Sequence, residues 1–259
     1  MSKIEYYFGD CRELIKKLPD KSVNLVVTSP PYNISKKYGK YKDNVSLDEW
    51  KSLINEITKE IYRVLKDDGS FFLNLSQIPY GSHKEILPLP FLAYEIIKEN
   101  NFYLRNMITW TFNGMQNCTN RLSGRYENIL WCVKDLENYV FNLDDIRIPY
   151  ITQKDKRLTG KGRNPTDVWY FDIVNNMKKK KLGLTHPTVY PIEMIERIIK
   201  MSSNEGDVVL DPFVGSGTTL VASSRLNRNG IGFELDPKYE HEIKKRLSNE
   251  VDEQIAIEL

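Results

Sequence analysis

The chain has 259 residues, with 37 Lys+Arg against 35 Asp+Glu for a net charge of +2, and 41% of it is apolar. That profile belongs to a soluble globular chain long enough for a sizeable core, and it excludes disordered and collagenous classes. No apolar run reaches the ~18 residues a membrane-spanning helix needs, and Met1-Ser2-Lys3-Ile4-Glu5 lacks the basic-then-apolar order of a signal peptide, so the expected location is cytoplasmic, with no membrane partner.

In chain order, Ile4 to Phe8 reads as a strand, and Asp10 as the cap of a helix through Leu18. Val23 to Thr28 is a second strand, stopped by Pro30-Pro31. Ser46 and Glu49 make a capping box before Leu47, Trp50, Leu53, Ile54, Ile57, Ile61 and Leu65, a helical apolar stripe. Gly69 is expected to end that helix and to open a third strand, Ser70 to Leu75. A helix from about Phe91 to Glu99 follows, then strands at Tyr103 to Trp110 and Asn128 to Val133. Pro191 to Met201 is a helix, Val208 to Leu210 a strand, Thr218 to Leu226 a helix and Gly230 to Phe233 a strand. Asp236-Pro237 opens the last helix with a cap and a first-turn proline. Strands alternating with helices predict a mostly parallel α/β sheet covered on both faces, which binds its ligand beyond the carboxyl ends of the strands.

Cys11, Cys118 and Cys132 stand far apart, which fits reduced thiols rather than a disulfide framework. With His83, His186 and His241 as the only histidines and no tight Cys/His spacing, no metal site is expected.

Two strand ends carry the chemistry. The first follows Val208-Val209-Leu210 as Asp211-Pro212-Phe213-Val214-Gly215-Ser216-Gly217-Thr218-Thr219, with Glu234 placed 19 residues after Gly215. An acid at that distance reaches ribose hydroxyls in nucleotide-binding βαβ units, and the glycines let backbone approach a ligand. A phosphate-binding loop needs a Lys where Thr218 stands, and a dinucleotide site needs a third glycine where Leu220 stands. An adenosine ligand without a pyrophosphate fits better; the alternative is that Gly215 and Gly217 only make a tight turn. The second strand end is Thr28-Ser29-Pro30-Pro31-Tyr32-Asn33. Its prolines fix the turn, the Ser29 hydroxyl and Pro30 carbonyl offer acceptors to an amino group, and Tyr32 offers a ring on which a base can stack.

From Ile151 to Thr185 nine basic residues (Lys154, Lys156, Arg157, Lys161, Arg163 and Lys178 to Lys181) face Asp155, Asp167 and Asp172. Gly160, Gly162, Pro165, Trp169, Tyr170 and Phe171 interleave them, a composition suited to tracking phosphates, or alternatively to a solvated loop.

Thr28-Ser29-Pro30-Pro31-Tyr32 together with Asp211-Pro212-Phe213-Val214-Gly215-Ser216-Gly217-Thr218-Thr219 resembles the amino-methyltransferases of DNA. These use S-adenosylmethionine (AdoMet) and methylate cytosine N4 or adenine N6; the order of the two motifs is that of the permuted β group. Gly9-Asp10-Cys11, Arg63 to Lys66 with Gly69-Ser70, Trp110, Asn113-Gly114-Met115, Arg121, Tyr126-Glu127, Lys134, Ile146 to Tyr150, Asp167-Val168-Trp169 and His186-Pro187 extend the resemblance over most of the chain.

The resemblance implies a Rossmann-like AdoMet-dependent methyltransferase fold: a mostly parallel twisted sheet, helices on both faces, and a small target-recognition insertion. Residues 1–135 would form the catalytic half, 136–185 the recognition region and 186–259 the AdoMet-binding half of one domain. It assigns catalysis to Ser29, Pro30, Pro31 and Tyr32, and AdoMet binding to Asp10, Asp211, Phe213, Gly215, Gly217, Thr218 and Glu234. His186 is expected as a loop residue near the cofactor, not a metal ligand or base. Ser29 is the residue typical of the N4-cytosine enzymes, whereas adenine enzymes more often carry Asp or Asn there. Cytosine N4 is therefore the expected target and adenine N6 the alternative; an RNA amine methyltransferase or a non-catalytic DNA-binding module is more distant. Expected partners are double-stranded DNA, a cognate restriction endonuclease and a second copy of the chain.

Overall fold

The run Val23-Asn24-Leu25-Val26-Val27-Thr28 is buried at every position, as a strand must be when paired on both edges and covered on both faces. It is the centre of the fold. The computed structural model describes residues 2–114, 117–150 and 161–248; Met115 and, in the basic stretch, Lys154, Asp155, Lys156, Arg157 and Gly160 lie outside the described residues.

The strands in chain order are β1 (Ile4–Phe8), β2 (Val23–Thr28), β3 (Leu65–Leu75), β4 (Gln77–Tyr80), β5 (Glu85–Pro88), β6 (Tyr103–Thr111), β7 (Tyr126–Val133), β8 (Val168–Tyr170), β9 (Val208–Asp211) and β10 (Asn229–Glu234). The helices are α1 (Cys11–Leu14), α2 (Leu47–Val64), α3 (Leu89–Glu99), α4 (Asn176–Leu182), α5 (Ile192–Ser202), α6 (Thr218–Arg225) and α7 (240–248). β4 and β5 make a separate hairpin, and the rest form one sheet in the order β1-β10-β9-β2-β3-β7-β6-β8. Only β7 runs against the others. Its first residues therefore lie at the same rim as the last residues of β1, β2, β3, β6, β9 and β10.

Helices cover both faces. Cys11, Trp50, Ile54, Ile57, Ile61, Leu89, Ala93 and Ile97, from α1, α2 and α3, pack with Val26, Phe71 and Leu73 on one side. Met194, Ile195, Ile198 and Ile199 of α5 and Ala222 of α6 pack with Leu25, Val27 and Phe72 on the other. The capping box at the start of α2 is formed: Ser46 Oγ accepts from Glu49 N, and the Glu49 carboxylate accepts from Ser46 N. Among the described residues no helix is long and apolar enough to cross a membrane.

Three local expectations are revised. Gly69 does not end α2; the helix stops at Val64 and β3 begins at Leu65, with Gly69 inside it. A Cβ at Gly69 would stand 2.7 Å from the Asn24 carbonyl, so the glycine answers to the neighbouring strand where the β2–β3 register slips. The helix expected through Leu18 ends at Leu14 and continues as a 3-10 turn over Ile15–Lys17. The aromatics of the basic stretch are not all at the surface: Trp169 is buried and Phe171 half-buried. Trp169 is buried in β8, which pairs with β6, and Trp110 Nε1 donates to the Phe171 carbonyl at 2.9 Å. The end of the basic stretch is thus built into the sheet edge, leaving Tyr170 and Lys178, Lys180 and Lys181 of α4 outside, while Lys179 turns to the cavity and donates to the Pro187 carbonyl at 3.0 Å.

Candidate active site

The turn after β2 is held from three sides. Thr28 Oγ1 donates to Asp211 Oδ1 at 2.7 Å, tying β2 to β9. Trp50 Nε1, in the first turn of α2, donates to the Pro31 carbonyl at 2.9 Å. The buried Asp43 carboxylate accepts from the backbone N–H groups of Asn33, Ile34 and Lys36, which fixes the chain just past Tyr32. Two prolines and these anchors leave Ser29 and Tyr32 little freedom to move.

The glycine loop starts from Asp211, which is 1% exposed and fully engaged. Besides Thr28, its oxygens accept from Thr219 Oγ1 at 2.6 Å and Phe213 N at 3.0 Å, joining β2, the loop and the first turn of α6. Gly215 has φ +53°, and a Cβ there would meet the His186 ring at 2.8 Å. Both the left-handed backbone and the close approach demand glycine. The ring is itself held: Nδ1 lies 2.5 Å from the Thr188 carbonyl, and Tyr239 packs edge-on at 4.5 Å. Burial pushes the His186 pKa down to about 4, so it is a neutral loop-packing residue.

At the end of β10, Glu234 accepts from Gly215 N at 3.0 Å and Asp236 N at 2.9 Å. Its own carbonyl accepts from Gly9 N at the end of β1. Asp10 caps α1 by accepting from Arg12 N, and the Arg12 guanidinium beside it holds its carboxyl below the usual range.

All these strand ends open onto one cavity of about 990 Å³. That is the upper end of the usual range for small-molecule sites, with room for two ligands side by side. Of the predicted residues, Ser29, Pro30, Pro31, Tyr32, Asp10, Phe213, Gly215, Thr218 and Glu234 line it. Asp211 and Gly217 stand just behind this lining. Asp211 has spent its oxygens beneath the loop, and Gly217 takes φ +85° to start α6 against Ile243. Thr218 Oγ1 accepts from Arg246 of α7 at 2.9 Å.

Sequence reasoning did not assign Asn74, Glu127 or Tyr190 to the site, although Tyr126-Glu127 belonged to the resemblance; all three line the cavity. Asn74 stands at the penultimate position of the otherwise apolar end of β3, and Glu127 is an acid opening the apolar strand β7. A lone polar side chain at the end of a buried strand was the available signal. Burial pushes the thiols of Cys11 (to about 12) and Cys132 up, so neither is a ready nucleophile at neutral pH.

Residues 23–245 match a family described as DNA methylase, of the N6/N4 type. The Type II methyltransferase M.ScaI of Streptomyces caespitosus is 34% identical over 246 residues, 92% of this chain and 79% of its own length. The DNA adenine methyltransferase YhdJ of Escherichia coli K12 is 33% identical over 247 residues, 89% of this chain and 78% of its own length. Among solved structures, the PvuII DNA methyltransferase (cytosine-N4-specific) superposes with a TM-score of 0.77 at 23% identity, over 95% of this chain and 86% of that one. TTHA0409 from Thermus thermophilus, complexed with S-adenosyl-L-methionine, superposes with a TM-score of 0.69 at 26% identity, over 97% and 95% of the two chains. The family match, the curated relatives and the methyltransferase sheet have one reading: the chain belongs to the N6/N4 DNA methylase family, the AdoMet-dependent amino-methyltransferases of DNA.

Proposed function

We propose that the chain transfers a methyl group to N4 of a cytosine flipped out of duplex DNA, with residues 136–185 as the recognition region and with Ser29, Pro30 and Tyr32 handling the base. The observation that carries this reading is the opening of the Ser29 turn and the Gly215 loop into one cavity. Ser29, in place of an acid or amide, supports cytosine. Adenine N6 is the second reading, favoured by the likeness to YhdJ. A cognate restriction endonuclease and pairing of two copies are part of the proposal, but the chemistry needs neither.

The residues present fit AdoMet. Glu234 has lone pairs beyond those engaged by Gly215 and Asp236, which suits a ribose diol; Phe213 and Phe233 supply apolar wall, and Asp10 a further acceptor at the rim. When bound, AdoMet supplies a methyl group on a sulfonium whose positive charge is lost on transfer. An exocyclic amine is a weak nucleophile because its lone pair is delocalised into the ring. Acceptors pulling on its N–H bonds favour a pyramidal nitrogen with a localised pair; Ser29 Oγ and the Pro30 carbonyl are assigned that task. The Tyr32 ring is assigned to stacking, which offsets ~1–3 kcal/mol of the few kcal/mol that base flipping costs. The remaining contribution is alignment of nitrogen and methyl carbon at near-attack distance.

Burial pushes the Glu234 carboxyl up to about 7, against the opposing pull of the Asp236 and Gly215 N–H groups. Ribose hydroxyls donate to the ionised form, so AdoMet binding should tighten as pH rises through 7. Between pH 6 and 8 the Kd is expected to fall about tenfold, and Glu234→Gln to remove that dependence. Calorimetry across this range checks it; a flat wild-type profile contradicts the ribose assignment. The base itself is read by methylating unmodified DNA and weighing its nucleosides by mass spectrometry. N4-methylcytosine is expected, and N6-methyladenine alone overturns the choice of base.

A further inference from the structure

A hydrogen-bonded chain runs from the Ser29 turn to a carboxylate that the chemistry above does not use. Ser29 Oγ donates to Tyr32 Oη at 3.0 Å, and Tyr32 Oη donates to Glu127 Oε2 at 2.9 Å. Asn74 Nδ2 donates to both Tyr32 Oη at 2.8 Å and Glu127 Oε2 at 2.6 Å. Three separate pieces of chain build this: the turn after β2, the end of β3 and the start of the antiparallel β7.

The donors set the direction of the chain. An amide nitrogen has only hydrogens to offer, so Tyr32 Oη and Glu127 Oε2 must both accept from Asn74. Tyr32 then has its own hydrogen left for Glu127, and Ser29 has its hydrogen for Tyr32. Donating to Tyr32 leaves Ser29 Oγ lone pairs with which to accept from an amine, beside the buried Tyr190 hydroxyl that interacts with the same serine. The arrangement carries a cost, because the buried Asn74 Oδ1 has no hydrogen-bond partner among the described residues. A buried unpartnered acceptor is usually worth ~1–3 kcal/mol of destabilisation, a sign that the amide is oriented for its two donations.

We propose that Glu127 is the positioning residue of this site and the final acceptor of the proton released by methyl transfer, working through Tyr32 and Ser29. The proposal rests on the placing of the target amine at Ser29. The N–CH3 bond forms from the nitrogen lone pair, and the S–CH3 bond breaks with its electron pair kept by sulfur. The nitrogen then holds one proton too many. That proton passes to Ser29 Oγ, the serine proton to Tyr32 Oη and the tyrosine proton to Glu127 Oε2, leaving a neutral methylated amine and a neutral carboxyl. Charge is never stranded on the hydroxyls.

Burial pushes the Glu127 carboxyl up, against the pull of Asn74 and Tyr32, which makes it a readier proton acceptor than a solvated glutamate. Among the described residues, the other titratable groups facing it are the hydroxyls of Tyr190 and Tyr38, both raised by burial, so neither changes charge at neutral pH.

The test compares Glu127→Gln, Tyr32→Phe and their combination, with wild type and Ser29→Ala as controls. Single-turnover transfer of tritiated methyl from saturating AdoMet to unmodified genomic DNA is followed as a function of pH, alongside calorimetric AdoMet binding. Glutamine keeps the shape and an acceptor but cannot take the proton. Glu127→Gln should lower the transfer rate on the order of 10²-fold, abolish the acid limb of the rate profile and leave AdoMet affinity within about twofold. Tyr32→Phe keeps the ring and should lose a similar factor, with the double variant no slower than either single. A Glu127→Gln rate within about threefold of wild type, an intact acid limb or losses that multiply in the double variant overturns the relay. If Glu127→Gln does not fold, Tyr32→Phe alone decides: a full rate with an intact acid limb overturns it. Failure of the underlying reading looks different, since Ser29→Ala would then match wild type.

Discussion

Replacing Ser29 by alanine is expected to lower the methyl-transfer rate roughly 10²–10³-fold while leaving AdoMet affinity within about twofold. The side chain stands in the turn after β2, and its single polar atom donates to Tyr32. Alanine removes one acceptor for the target amine and the first link of the chain to Glu127. It leaves the loop that carries Gly215 untouched, because that loop is held by Asp211, Glu234, His186 and Arg246. An interaction needed only as nitrogen becomes nucleophilic appears in the transfer rate rather than in cofactor binding. Single-turnover transfer and calorimetry on one preparation separate the two. Equal losses in both would mean that Ser29 supports the cofactor pocket and not the amine.

Asp211→Ala should act in the opposite way: a loss of stability of about 3 kcal/mol or more, and AdoMet binding weakened at least about tenfold. Three donors, the buried Thr28 Oγ1 and Thr219 Oγ1 and the half-buried Phe213 N, converge on this carboxylate. Each donor left without a partner costs ~1–3 kcal/mol. Since Asp211 lies outside the cavity, cofactor affinity falls because Phe213 and Gly215 lose their support. Asp211→Asn keeps one acceptor and is expected to lose about half as much.

Burial pushes the Asp211 carboxyl up to about 6, whereas its ordinary value is 3.8. The native state therefore binds more protons than the unfolded state between about pH 4 and 6, and this group's contribution to stability falls as pH rises through that window. Asp211→Asn should remove that slope. Denaturant unfolding followed from pH 4 to 7 measures both effects, and a wild-type slope unchanged in Asp211→Asn would assign it to another group.

What was legible in the chain was local. Ser46 and Glu49 satisfy each other's backbone within four residues, so the start of α2 could be read directly. Val23–Thr28 had to be central because a run of that apolarity cannot face water on either side. Errors arose where a residue answers to a distant neighbour. Gly69 looks like a helix stop, yet it is small because Asn24 on the adjacent strand leaves no space for a Cβ. Trp169 looks like part of a DNA-facing surface, yet a three-residue strand pairs with β6 and buries it. The β4–β5 hairpin went unread because Pro79 and Pro88 disguise an edge pair.

The candidate site divides in the same way. The amino-acid sequence alone named the two loops, the acid at Glu234 and the chemistry those residue types support, because each motif lies within one strand end and its turn. It also identified the family. Tertiary structure decided that Asp211 and Gly217 build the loop from beneath. It also decided that Tyr32 hands its hydrogen to a glutamate 95 residues away. Turn and cap preferences are set by backbone groups a few residues apart, and composition reveals them. Which polar atom finds which buried partner depends on strand order and on the reversed direction of β7, which exist only once the sheet has closed.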